Sequence, residues 1–216
     1  MTFEILFIFL IIVLQSIAIY LDNQGVFHLI KNYKDENLAG LHATKYQIDF
    51  LSRGFLFFTP PLLGYLIVKN ELNSVLYIFL LSALLSLFIT CYQCIKLLTK
   101  LNLPFVTRFT LNKFMLIMLG ILVYSIHLYV PFYLNILAYF FKEQSLWLVQ
   151  FSPALTVITS IFVVYYMDPR IAKFIDAKDD KRNSEVIFDI IMMRISGRIF
   201  IVLIALIFLF FFQLDI

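Results

Sequence analysis

Val75 to Ile95 reads VLYIFLLSALLSLFITCYQCI, 21 consecutive residues without an Asp, Glu, Lys or Arg. A helix that crosses the hydrocarbon core of a bilayer needs about 20 mostly apolar residues, because no water is present there to satisfy a backbone amide. The stretch is apolar on every side, with neither a polar face nor strict alternation, so it suits lipid rather than the half-wet surface of a soluble domain or a barrel strand. Five further runs share this character. Ile5–Leu21 and Ile48–Val68 precede it, and Phe114–Phe141, Leu146–Met167 and Ile190–Leu214 come after it. The predicted fold is therefore all-α, a polytopic membrane protein of about six transmembrane helices forming one domain over residues 1–216.

Composition agrees. The chain is 62% hydrophobic and 14% charged, with 25 phenylalanines, too little polar surface to keep a soluble domain of 216 residues dispersed. The net charge of +3 comes from basic residues gathered in connections between apolar runs, a pattern of membrane orientation and not of nucleic-acid binding. The start, Met1-Thr2-Phe3-Glu4, lacks the basic residue of a cleavable signal, so the first apolar run is expected to be retained as a helix.

The basic residues also predict orientation. Fourteen of the 17 lysines and arginines fall in or beside three connections: Lys31, Lys34 and Lys45; Lys96, Lys100, Arg108 and Lys113; then Arg170, Lys173, Lys178, Lys181, Arg182, Arg194 and Arg198. The alternate connections hold one each, Lys69 and Lys142. The positive-inside rule thus expects cytoplasmic loops at about 22–47, 96–113 and 168–189, with both termini outside. Val186 to Arg194 has an apolar face at helical spacing and is expected to lie along the interface before the last span.

Polar groups inside the spans are the candidate functional residues, since each needs a partner or a wet cavity. Arg53 follows Asp49 by four residues, so the two can pair on one helical face. Its guanidinium either snorkels to headgroup water or faces a cavity and holds a phosphate. Pro60-Pro61 removes backbone donors in the same span and marks either a packing kink or a substrate path. His127, Pro131 and Asn135 repeat at intervals of four on the fourth span; His127 is either a hydrogen-bonded interior group or a relay or substrate contact. Ser152, Pro153, Thr156, Thr159 and Ser160 give the fifth span close packing or a polar wall. Arg194 and Arg198 open the last span, where they can snorkel toward headgroups. Cys91 and Cys94 lack the second pair that four zinc ligands would need and read as buried thiols. No catalytic motif is present, so an enzyme is not expected, and no cofactor or metal is implied.

Two stretches carry a resemblance. Phe50-Leu51-Ser52-Arg53 followed by Thr59-Pro60-Pro61-Leu62-Leu63-Gly64 resembles the Leu/Ile-Ser-Arg … Ala-Pro-Leu-Leu-Gly pattern of Amj-type lipid II flippases, the bacterial alternates to MurJ. Asp168-Pro169, a polar loop, then Ser184-Glu185, Arg194, Ser196, Gly197 and Arg198 ahead of the last helix are similar to the same family. The likeness runs from about Phe50 to the end of the chain. It implies translocation of the undecaprenyl-pyrophosphate-linked peptidoglycan precursor across the bacterial cytoplasmic membrane, with lipid II and membrane lipids as partners. Asp49, Ser52, Arg53, Pro60, Pro61, His127, Asn135, Arg194 and Arg198 are the substrate-binding candidates, Arg53 first for the pyrophosphate and the Arg194–Arg198 pair at the cytoplasmic mouth. A homodimer is expected, since six helices are few to enclose so large a headgroup. Rival classes are a transporter of another polyprenyl-linked glycan, a small-solute or ion transporter built on the broken span and His127, and a non-transporting anchor of a glycan-synthesis complex.

Overall fold

The computed structural model describes residues 2–32, 38–69, 71–101, 111–162, 165 and 180–213. Among them every regular element is helical. They are α1 (Thr2–Lys31), α2 (Leu38–Phe57), α3 (Thr59–Val68), α4 (Leu72–Leu101), α5 (Leu111–His127), α6 (Val130–Phe140), a 3-10 turn (Lys142–Gln144), α7 (Ser145–Phe162) and α8 (Asp180–Gln213).

Four stretches are long and apolar enough to cross a membrane: Glu4–Lys31, Ala39–Val68, Leu72–Leu101 and Glu185–Phe212. Gly120–Ile126 and Val130–Phe140, bent by 64° at the break between them, make a fifth when taken as one span. The expected span Leu146–Met167 coincides with α7 as far as Phe162, and most of the chain between 163 and 179 lies outside the described residues.

Helix extends into two stretches read from the sequence as loop or interface. Residues 22–31 and 38–47, expected in a cytoplasmic loop, are helical, so α1 runs ten residues past Leu21. The reason is visible in the buried positions Ile19, Asn23, Val26, Phe27 and Ile30, which keep helical spacing across Asp22 and Asn23. These two polar residues find partners on other helices, so nothing forces the chain to stop. Likewise Val186–Arg194 is no interfacial helix. It is part of the continuous α8, with Ile187, Ile190, Ile191 and Met193 buried against Val26, Phe27, Ile30 and Leu97.

Side-chain contacts fix the helix directions. Ser52 donates to the Ala18 carbonyl at 2.8 Å, while Asp49 lies against Gly25 near the other end, so α2 runs antiparallel to α1. Ile8 and Ile12 line an apolar crevice with Tyr77 and Leu81, and Asn23 reaches Thr90 and Gln93, so α4 runs parallel to α1. In α8, residues 187–193 pack with the end of α1, and Ile201 and Ala205 with Ile11 and Ile19, which makes α8 antiparallel. The first residues of α1 and the last of α8 therefore share one end of the bundle. At the other end Lys31, Lys96 and Lys100 come into mutual electrostatic reach.

Proline acts differently at its two positions. At Pro60-Pro61 the interruption is one residue, Phe58, which keeps right-handed helical dihedrals (φ −82°, ψ −15°). The prolines begin α3, where a missing N–H leaves no helical bond unmade. The break expected at mid-span is a slight one. Pro131 produces the large bend: Phe132 N–H turns to the Tyr129 carbonyl at 3.0 Å, leaving the Leu128 carbonyl without its helical donor. Gln15 of α1 supplies the substitute, its Nε2 donating to Leu128 O at 2.7 Å from a fully buried position.

Glycine brings α5 and α8 together. A Cβ on Gly197 would lie 2.9 Å from Tyr124 Cβ, a rigid atom on the facing helix, whereas one on Gly54 would meet nothing within 4 Å. Gly197→Ala is expected to destabilise by about 1–3 kcal/mol through overpacking. Gly54→Ala is expected to be neutral or slightly stabilising, through helix propensity. Unfolding of both variants in detergent checks the contrast; equal midpoints would contradict the close approach.

Candidate functional site

Arg194 and Arg198 are the largest fully buried side chains, 1% and 0% exposed. Arg198 stands 18 residues into a 34-residue helix, about 27 Å from its start at 1.5 Å per residue. The snorkelling expected of them does not occur. Their charge is met inside the protein, because α1 continues far enough to present Asp22 at their level.

The centre is built from four helices. Arg194 donates through one terminal nitrogen to Asp22 Oδ2 at 2.8 Å and to the side-chain oxygen of Asn23. Arg198 approaches the same Asp22 oxygen at 3.6 Å and donates to the Tyr124 carbonyl at 3.3 Å. Below Arg194 lies the Tyr124 ring, 4.6 Å from guanidinium to centroid, with Phe27 at 5.9 Å, so aromatic faces supply part of the negative potential that one carboxylate cannot. Asn23 is oriented in turn by α4: its amide nitrogen donates to Thr90 at 3.1 Å and Gln93 at 2.8 Å, and Gln93 donates to the Tyr20 carbonyl at 3.2 Å. The amide thus has a fixed direction, with its oxygen aimed at Arg194.

Two guanidiniums share one carboxylate, and the accounting of donors is incomplete. Among the described residues, Arg194 Nε and both Nε and one terminal nitrogen of Arg198 have no hydrogen-bond partner. Buried charged donors left in that condition are costly, and further acceptor oxygens would relieve the cost. The Asp22 side chain keeps 19% of its exposure against 2% and 0% for the arginines. The carboxylate is thus the more exposed partner, and both guanidiniums are enclosed.

Beside it, Lys45 and Asp49 form a second ion pair at 2.9 Å, with Lys45 nearly buried. Asp49 therefore pairs with the residue four before it, and the expected Asp49–Arg53 pair is not formed. Arg53 is exposed on α2 next to the exposed apolar residues Phe50 and Leu51, on the outer surface of the bundle. Ser52, one residue away, is buried and ties α2 to α1. Pro60 is half-buried and Pro61 exposed. Asn135 is buried, donates to the Pro131 carbonyl at 2.8 Å and turns its oxygen toward Gly64. The His127 side chain and those of Ser152, Pro153, Thr156, Thr159 and Ser160 lie outside the described residues. Cys91 and Cys94 are free thiols, partly and fully buried. Among the described residues, no three His, Cys, Asp or Glu side chains are placed to hold a metal ion.

The site thus brings together Arg194 and Arg198 from the expected set and adds Asp22, Asn23, Gln93 and Tyr124, which sequence reading missed. The unbroken helical spacing from Ile19 through Ile30 was the available signal for the first two. Compared with known protein families, curated proteins and solved structures, the chain finds no match in any of the three.

Removing the shared carboxylate while leaving both cations tests the centre. Asp22→Asn is expected to cost about 3–5 kcal/mol, the range for breaking a buried pair on one side. Adding Arg194→Gln to that variant should restore part of the loss. A double-mutant cycle by unfolding in detergent measures it, and additive losses would mean that the two side chains do not interact.

Proposed function

We propose that this chain translocates a lipid-linked anionic headgroup across a membrane, and that its substrate class is the undecaprenyl-pyrophosphate-linked peptidoglycan precursor, lipid II. The observation that carries the reading is the buried Arg194–Arg198 pair, which holds two cations and unfilled donors inside membrane-spanning helices. Moving a pyrophosphate and sugars through hydrocarbon needs fixed positive charge and hydrogen-bond donors along the route, while the isoprenoid tail remains in lipid. Arginine suits this better than lysine, because its planar fork meets two phosphate oxygens at once. The likeness of the 50–64 and 168–198 stretches to Amj-type flippases points the same way.

In this reading the protein is a multi-pass component of the bacterial cytoplasmic membrane with six spans, the fifth being the Leu146–Met167 stretch that contains most of α7 and the fourth the bent α5–α6 pair. Its basic end faces the cytoplasm and both termini face outward. Two copies associate to enclose the headgroup. The route passes Arg194 and Arg198, and Arg53 assists from the outer surface of α2, where a lipid would approach laterally.

A second reading has one observation of its own: the elbow at Leu128–Tyr129, where a helix break lies in the interior, as in many small-solute and ion transporters. It places the substrate at the elbow, and flux in liposomes would need no polyprenyl lipid.

Growth of a strain depleted of its lipid II flippase separates the readings. The intact chain should rescue growth and restore lipid II to the outer leaflet. Arg198→Gln should lose rescue while still inserting, and Arg53→Gln should reduce export more mildly. Unchanged export in Arg198→Gln, or no rescue by the intact chain, would end the proposal. Labelling of single cysteines placed at Lys69 and Lys142 checks orientation: both should react with an impermeant reagent added outside.

A further inference from the structure

Both guanidiniums of the centre converge on one oxygen atom. Arg194 lies 2.8 Å and Arg198 3.6 Å from Asp22 Oδ2, and the two arginines, four residues apart on α8, form a fork open toward α1. Asp22 brings two oxygens in one plane and a single negative charge. The fork offers more than that carboxylate takes, since Nε of both arginines and a terminal nitrogen of Arg198 keep no hydrogen-bond partner among the described residues. A diphosphate esterified at both ends carries about two negative charges spread over about four free oxygens, and it can meet two guanidiniums from different sides at once. The carboxylate is also the least enclosed member of the pair, its side chain 19% exposed against 2% for Arg194.

We infer that the Arg194–Arg198 fork is an oxyanion site for a phosphate or diphosphate group, and that Asp22 is its internal occupant, standing where a phosphate oxygen binds and displaced when the ligand enters. Other groups facing the site fit this exchange. Tyr124 presents its ring and backbone carbonyl, the Asn23 oxygen is held by α4, and the neighbouring Lys45–Asp49 pair stands in electrostatic reach, Asp49 facing both Asp22 and Arg194. Asp22 is the carboxylate that pairs with both arginines. The inference builds on the proposed function, naming the part of the substrate that is held and the residue that competes with it. An internal competitor lowers apparent affinity by the fraction of time it vacates the site, so a protein that must release its cargo across the membrane benefits from keeping it.

The test uses the full chain in nanodiscs of phosphatidylcholine. Its unfolding temperature is followed against inorganic pyrophosphate, with chloride at equal ionic strength as control. Pyrophosphate should raise the midpoint of the intact chain. Asp22→Asn should respond at about tenfold lower concentration, because its competitor is gone, and Arg198→Gln should not respond. Undecaprenyl pyrophosphate in the nanodisc should give the same shift; a response to pyrophosphate alone keeps the site but overturns its assignment to a lipid headgroup. No response in the intact chain, or equal sensitivity of the intact chain and Asp22→Asn, overturns the inference. Should Asp22→Asn fail to insert, the intact chain and Arg198→Gln decide it, equal shifts being fatal. Export by the intact chain without any pyrophosphate response removes this site and leaves translocation standing; a pyrophosphate response without export leaves the site and removes translocation.

Discussion

A guanidinium keeps its charge at any physiological pH, so an arginine buried within a bilayer obliges its surroundings to adapt to it. Much of the interior of this bundle derives from that obligation. Arg194 and Arg198 require a carboxylate at their depth, and this is why α1 carries Asp22 without ending there. Asp22 and Asn23 in turn require α4 to present Thr90 and Gln93 one turn apart, which sets the register of two parallel helices. The bulk of two guanidiniums must also be accommodated, and Gly197 and Gly120 let α5 and α8 approach closely so that the Tyr124 ring can lie beneath Arg194. Packing, polarity and helix length are here consequences of one buried charge problem.

The second interior constraint is a backbone one, and it lies next to the first. Pro131 frees a carbonyl in a region without water, and Gln15 closes the gap from seven residues before Asp22 on α1. Tyr129, at the elbow itself, donates to the Ser82 carbonyl at 3.1 Å and stands in electrostatic reach of Arg198. Polar groups therefore succeed one another from the Lys45–Asp49 pair through the arginine centre to the elbow. Phe79, Phe132, Tyr133 and Phe208 pack around the far end, Phe79 and Phe132 stacked at 5.2 Å. Buried polar groups thus follow one another through the interior, with aromatic rings packed at one end of the series.

The helical class and most spans were legible in the sequence because they depend on local composition alone: 20 apolar residues in a row have few alternatives. Asp22 was not legible. Two polar residues after an apolar run look like the exit from a membrane unless their partners, 67 to 172 residues away, are known. The same nonlocality hid the bond between Gln15 and Leu128. Arg194 and Arg198 were found as candidates because charge near a span is conspicuous, yet their surroundings were misjudged. Proximity to a helix end suggests snorkelling, and only the length of α8 before Arg194 removes that escape. Pro60-Pro61 attracted attention by being doubled, yet it and the single Pro131 both stand in the first turn of their helices, and the larger bend is the one at Pro131, where Phe132 N–H turns to the Tyr129 carbonyl.

Arg53 and Arg198 present the same side chain with opposite solutions, and the difference bears on which can do chemical work. On the outside of α2, Arg53 extends from an apolar surface and can reach headgroups at the cost of side-chain freedom; its charge constrains little around it. Arg198 has no such freedom. Enclosed by α1, α5 and the rest of α8, it interacts with whatever acceptor enters at the low dielectric of the interior, where each hydrogen bond to a charge counts for more than at the surface. Selectivity for an anionic group is therefore a property the α8 pair can have and Arg53 alone cannot. The Asp22 carboxylate must be overcome by any ligand that reaches the pair, and a monatomic anion such as chloride brings the same single charge without the carboxylate's two oxygens. A diphosphate offers more of both charge and oxygens, so it is the class of group that the proposed exchange would favour over simpler anions.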